Sequence, residues 1–163
     1  MDLLSTLANH LDIVSTAIAV NYDGHEPEWT QEEDHYSFLI KGYPCEIIRN
    51  YRGILIGQIS IAQDSAFYNM ENLDKIINVY GGFTMDSFSK SVDGMSMQRI
   101  LRFDCDHFGD LSPIDARRAD YLGQNSQKII NSVTKNSQKY IYKNVNFVYN
   151  ELVQVVIQME QLK

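Results

Sequence analysis

The sequence predicts an α+β fold: an antiparallel sheet of four to five strands, with N- and C-terminal helices packed on one of its faces. Three observations lead there. Residues 143–162 place Val145, Val148, Tyr149, Leu152, Val155, Val156, Met159 and Leu162 at three- and four-residue steps, the spacing of one helical face. Residues 2–20 repeat that spacing with Leu3, Leu4, Leu7, Leu11, Val14 and Ile18. Between them, ILIGQISIA at 54–62 alternates over part of its length and is rich in isoleucine, whose branched side chain suits a pleated surface.

Taken in order, the first helix has Asp2 as its N-cap. Residues 21–35, NYDGHEPEWTQEEDH, hold Gly24, Pro27 and six acidic side chains. They read as a loop, with a helical turn after Thr30, where Thr30 and Glu33 have capping-box spacing. Tyr36–Ile40 is apolar and bounded by Gly42 and Pro44, so it reads as a strand. Cys45–Arg49 follows, then a turn at Tyr51-Arg52-Gly53, so 45–50 and 54–62 form a hairpin. Residues 63–75 read as a loop with a short helical turn. Ile76–Tyr80 reads as a strand ended by Gly81-Gly82, and the polar stretch 85–97, with Gly94, as a loop. Met97–Phe103 is a strand in which Ile100, Leu101 and Phe103 are interrupted by Arg99 and Arg102. Residues 104–113 form a polar loop and 114–141 a mixed, partly helical segment. The stripe on the last helix packs on the sheet, and a homodimer seam would use the same residues. There are no repeats and no Gly/Ser or Pro linker, so residues 1–163 form one domain.

The chain has 163 residues, 44% of them apolar, enough for a sizeable core. Fourteen Lys and Arg against twenty-one Asp and Glu give a net charge of −7. A sequence-independent nucleic-acid binder needs a basic face to displace counterions, and an anionic membrane surface needs one too. Neither partner fits this balance, although Arg99, Arg102, Arg117 and Arg118 could form a local basic patch. No stretch of 18 apolar residues is present to span a membrane. The N-terminal stretch lacks a basic region and carries Asp2, Asn9, His10 and Asp12, so it does not read as a signal peptide. Two cysteines, Cys45 and Cys105, are no disulfide framework, and the expectation is reduced thiols in a cytoplasmic protein.

The densest chemistry is Asp104-Cys105-Asp106-His107-Phe108-Gly109-Asp110, directly after a strand. A rigid strand end fixes side chains while the loop leaves them accessible. Three readings are open. The loop can be a turn held by buried hydrogen bonds, since Asp and Gly serve any turn. It can bind a ligand: Gly81, Gly82, Arg102, Asp104, Asp106, His107 and Asp110 form the candidate set. Glycine amides and Arg102 would then hold the phosphates of a small nucleotide signal. Or Asp104, Asp106, His107 and Asp110 can serve a metal-dependent hydrolase. Without CxxC or HxxxH spacing, zinc is not expected, and no cofactor is implied. The acidic run Glu26, Glu28, Glu32, Glu33 and Asp34 reads as a solvated face or as a lure for a basic partner.

Several stretches together resemble a family of phage, prophage and plasmid proteins. They are Ile56-Gly57-Gln58-Ile59-Ser60-Ile61, with Ala66-Phe67-Tyr68; Val79-Tyr80-Gly81-Gly82-Phe83-Thr84; Arg102-Phe103-Asp104-Cys105-Asp106-His107-Phe108-Gly109-Asp110; and the last helix, through Asn146–Leu152 and Met159–Leu162. The family's corresponding motifs run HGGLTY and GFDCAHAGD. The resemblance covers residues 45–162 and leaves 1–35 outside, and its most specific part is FDC-H-GD. The family's histidine before Gly-Gly is Tyr80 here, which weakens any catalytic or metal reading that would pair it with His107. The resemblance implies a phage or prophage accessory protein in the bacterial cytoplasm. The expected function is non-enzymatic binding: a counter-defence inhibitor that engages a host immune protein.

Overall fold

The computed structural model describes residues 28–114 and 141–163. The helix expected at 2–20 and nearly all of the mixed segment 114–141 lie outside them. Five strands form one antiparallel sheet: β1 (His35–Ile40), β2 (Tyr43–Arg49), β3 (Leu55–Ala62), β4 (Met85–Lys90) and β5 (Met97–Asp104), in the order β1-β2-β3-β5-β4. With the C-terminal helix on one face, this is the α+β architecture the sequence predicts.

Local chemistry sets the hairpins. Between β1 and β2, Lys41 and Gly42 have φ of 47° and 87°, the paired positive values that a two-residue hairpin turn demands and that glycine tolerates best. Between β2 and β3, the Asn50 side-chain oxygen accepts from the N–H groups of Arg52 and Ile54 at 2.9 and 3.0 Å. The predicted 45–62 hairpin forms, with Ile47 opposite Gly57 and Cys45 opposite Ile59.

Two predicted elements differ. Residues 76–80 are not a strand: Leu73–Ile76 forms a short helix, α1, and the chain beyond it is irregular. The N–H groups of Asn78 and Tyr80 bond the side chains of Gln158 and Glu151 instead of a neighbouring strand. Periodicity alone cannot assign so short an apolar run. Conversely, Met85–Lys90, expected as loop, is the edge strand β4. An edge strand buries little, so its polar composition hides it. The buried Arg99 guanidinium grips both oxygens of Asp86 across the pair at 2.7 and 2.6 Å. The helical turn also lies earlier than predicted, as a 3₁₀ turn at Glu28–Thr30.

The C-terminal helix, α2 (Val145–Gln161), starts at Asn144, whose side chain accepts from the Phe147 N–H at 2.8 Å. Val145, Val148, Leu152, Val155, Val156 and Met159 are buried over β2 and β3. These are the residues a dimer seam would use, so the stripe is spent within the chain. Helix and sheet meet at Gly57, where an added Cβ would lie 2.3 Å from the Phe103 ring and 3.0 Å from Val148. Among the described residues no helix is long and apolar enough to cross a membrane. Cys45 and Cys105 are free thiols in the core.

The acidic run is not one solvated face. The Glu32 side chain is buried and accepts from three groups: the Val145 N–H at the start of α2 at 2.8 Å, Arg49 at 2.9 Å and the Tyr142 hydroxyl at 2.6 Å. Arg49 also donates to Asp34 at 2.9 Å, and Asn144 donates to Glu28 at 3.0 Å. Burial raises the Glu28 carboxyl above its ordinary range. A carboxylate at the first free N–H of α2 also meets the positive end of the helix dipole. Glu32→Ala leaves the helix start without its acceptor and takes from Arg49 its buried carboxylate partner, with only the exposed Asp34 left as counter-charge. It should cost about 3–5 kcal/mol, read as a lower urea midpoint with an unchanged slope.

Candidate functional site

β5 delivers the signature loop. Strand alternation turns Cys105 inward, beneath the end of β3, where its N–H bonds the Leu55 carbonyl at 3.2 Å. The Asp104 carboxylate accepts from the Asp106 N–H at 3.1 Å, folding the chain back on itself. Asp106 in turn accepts from Arg52 at 2.6 Å, tying the loop to the β2–β3 turn.

Asp110 is the hub. Its side chain is 3% exposed. One carboxylate oxygen accepts from the Tyr80 hydroxyl at 2.8 Å, the other from the His107 N–H at 2.9 Å. Its own N–H returns to the His107 carbonyl at 2.9 Å. The His107 ring stands edge-on to Tyr80, with centroids 5.1 Å apart, and Nδ1 lies 3.5 Å from Asp110. The opposite edge of the imidazole presses on Gly81, where a Cβ would lie 2.0 Å from Nε2. Tyr80 also packs edge-on to Phe147 at 5.1 Å, and the Lys143 ammonium sits 5.1 and 4.8 Å from these two rings. Beyond Asp110, Ile141 accepts from Leu111 and donates to Gly109, both at 2.9 Å.

Of the predicted set, Gly81, His107 and Asp110 meet directly, and Asp104 and Asp106 shape the same loop. Gly82 closes a turn onto Val79, and its would-be Cβ faces nothing within 4 Å. Arg102 is elsewhere. Gly57 and Phe103 face α2, so their neighbours Gln58 and Arg102 face the other way, and Arg102 Nε donates to Gln58 Oε1. A site joining Arg102 to Gly81, Gly82 and His107 is therefore not assembled.

The chemistry of the loop is correspondingly constrained. Burial pushes the Cys105 thiol far above its ordinary range, with Asp110 and Asp104 adding to the effect, so it is no ready nucleophile. The His107 ring packs over Gly81, and its Nδ1 is buried with no hydrogen-bond partner among the described residues. Among the described residues no cluster of three His, Cys, Asp or Glu side chains is placed to hold a metal ion. Asp104, Asp106 and Asp110 each serve a different donor. Two large aromatic side chains stand exposed here: Phe108, 81% exposed in this loop, and Tyr51, 90% exposed in the turn that Arg52 fastens to it.

Sequence reasoning noted Tyr80 only as standing in place of the resembled family's histidine, and left Arg52, Lys143, Phe147 and Glu151 out of the candidate set. Phe147 and Glu151, four residues apart, lie on a second face of α2 beside its buried stripe, and that spacing is the signal that could have found them, while Lys143 lies just before the helix. No family model, curated protein or solved structure matches the chain.

Two outcomes test the hub. Tyr80→Phe removes a donor from a buried carboxylate and should cost about 1–3 kcal/mol in urea unfolding. Burial and the adjacent Asp110 raise the Tyr80 phenol above its ordinary range, so the folded state holds that proton more tightly than the unfolded state. Its contribution is intact below about pH 10 and is lost as pH rises beyond it, so the alkaline fall in stability should be shallower in Tyr80→Phe. Gly81→Ala must displace the imidazole and adopt a φ of 68°, and should lower the melting temperature more than Gly82→Ala, where φ is equally positive but the space is empty.

Proposed function

We propose that this is a phage- or prophage-encoded accessory protein that binds a protein of the bacterial host cell, as a counter-defence inhibitor engaging an immune protein. The contact would be the sheet end that carries Tyr51 and Phe108. One observation carries the binding reading. The three carboxylates of the FDC-H-GD loop are spent on its own backbone and on Arg52 and Tyr80, while Phe108 stands out from the loop. A large aromatic side chain held out by a rigid loop loses little entropy on docking and buries much area, the property of an interface anchor. The resemblance of residues 45–162 to phage and prophage proteins supports the biological setting, and the buried, raised thiol favours binding over catalysis.

The test is affinity capture from bacterial lysate with the wild type and with the Tyr51→Ala/Phe108→Ala variant side by side. The wild type should retain one stoichiometric partner. Truncating an anchor costs about 2 kcal/mol, about thirtyfold in affinity, so the variant should lose that partner while keeping its melting temperature. Equal retention by both proteins, or no partner across several hosts, overturns the reading.

A further inference from the structure

The face of the sheet turned away from α2 carries a polar row that runs across the strands. His35 on β1 meets Glu46 on β2 at 3.0 Å, Glu46 accepts from the Gln58 amide at 2.5 Å, and Gln58 accepts from Arg102 Nε. Gln58 is 5% exposed, and both ends of its amide are committed. It therefore fixes the guanidinium through Nε alone and leaves Nη1 and Nη2, the pair that grips an oxyanion end-on. Among the described residues these two nitrogens make no hydrogen bond. Arg102 itself is half-buried.

Two hydroxyls flank the same position. Ile100, two residues before Arg102 on the same face, lies opposite Ser60 on β3 and Ser87 on β4. Diagonal neighbours on a sheet lie within reach of a long side chain. Neither hydroxyl makes a hydrogen bond among the described residues. Asp104, also on this face, turns a carboxylate oxygen to the Asp106 N–H. One guanidinium and two hydroxyls on three adjacent strands thus border the same stretch of this face beside the buried Ile100, with Ser60 buried and Ser87 half-buried.

We infer that Arg102, Ser60 and Ser87 form a subsite for the phosphoryl group of a small ligand, on the opposite side of the sheet from the His107 loop. A planar fork from one strand and a hydroxyl from each neighbour match a group with several acceptor oxygens. The subsite does not depend on the Tyr51 and Phe108 contact.

The test is titration of the full chain with inorganic phosphate and with adenosine monophosphate. Ionic strength is held constant, chloride serves as the control, and backbone amide shifts are followed by NMR. Saturable shifts centred on Ser60, Ser87 and Arg102 are expected. Tighter binding of the nucleotide assigns the subsite to a phosphorylated ligand, and equal binding assigns it to free phosphate. Arg102→Gln should abolish the shifts, and Arg102→Lys, which keeps the charge and loses the fork, should weaken binding about tenfold. If Arg102→Gln fails to fold, Ser87→Ala on the edge strand carries the test, with weaker phosphate binding expected. Tyr51→Ala/Phe108→Ala should leave phosphate binding unchanged, which separates this inference from the protein contact. Shifts that do not saturate, that chloride reproduces, or that survive both Arg102→Gln and Ser87→Ala overturn it.

Discussion

The absence of a side chain at Gly57 lets the rest of the molecule assemble. The Phe103 ring occupies the space above the middle of β3, and Val148 closes over it. A methyl group there would lift α2 from the sheet, and with it Glu151 and Gln158, which hold the 78–80 backbone. Tyr80 would then lose the position from which it reaches Asp110. Close packing transmits such a displacement because the interior has little slack to absorb it. The signature loop is thus built from three separated parts of the sequence, the end of β5, the glycine turn at 81–82 and the second face of α2, all referred to one contact in the sheet centre.

A second contact sets the other end of the helix. Glu32 gathers the start of α2, the end of β2 and Tyr142 around one buried carboxylate. A removed partner leaves a charge without compensation, so such a knot specifies an arrangement more strongly than it stabilises one. Here the arrangement is the angle at which the helix enters the sheet. Acidic side chains outnumber basic ones in this protein, yet the acids nearest the helix start are structural.

Much of the fold was legible because strong local patterns agree with the tertiary structure. The α2 stripe, the isoleucine-rich β3 and the turn between β2 and β3 each follow from spacing and turn chemistry. The failures lie where tertiary contacts override composition. Ile77 and Tyr80 have strand-like neighbours, but helix side chains satisfy the backbone there, and β4 looks like a loop because an edge needs few apolar residues. Of the site, the loop and Gly81 were legible as a chemically dense strand end, and their meeting across the fold was not. Strand parity separates Arg102 from His107, but its use requires knowing which face the helix covers. The acidic run was misread because burial of a carboxylate depends on donors far away in sequence, here Arg49, Tyr142 and Val145.

The bonds that join Gly109 and Leu111 to Ile141 are made entirely by main-chain groups: the Leu111 N–H donates to the Ile141 carbonyl, and the Ile141 N–H donates to the Gly109 carbonyl. Such a clamp is indifferent to side-chain identity. The side chains of Leu111 and Ile141 can therefore change, by drift or by design, while the segment that leads into α2 stays anchored beside the His107 loop.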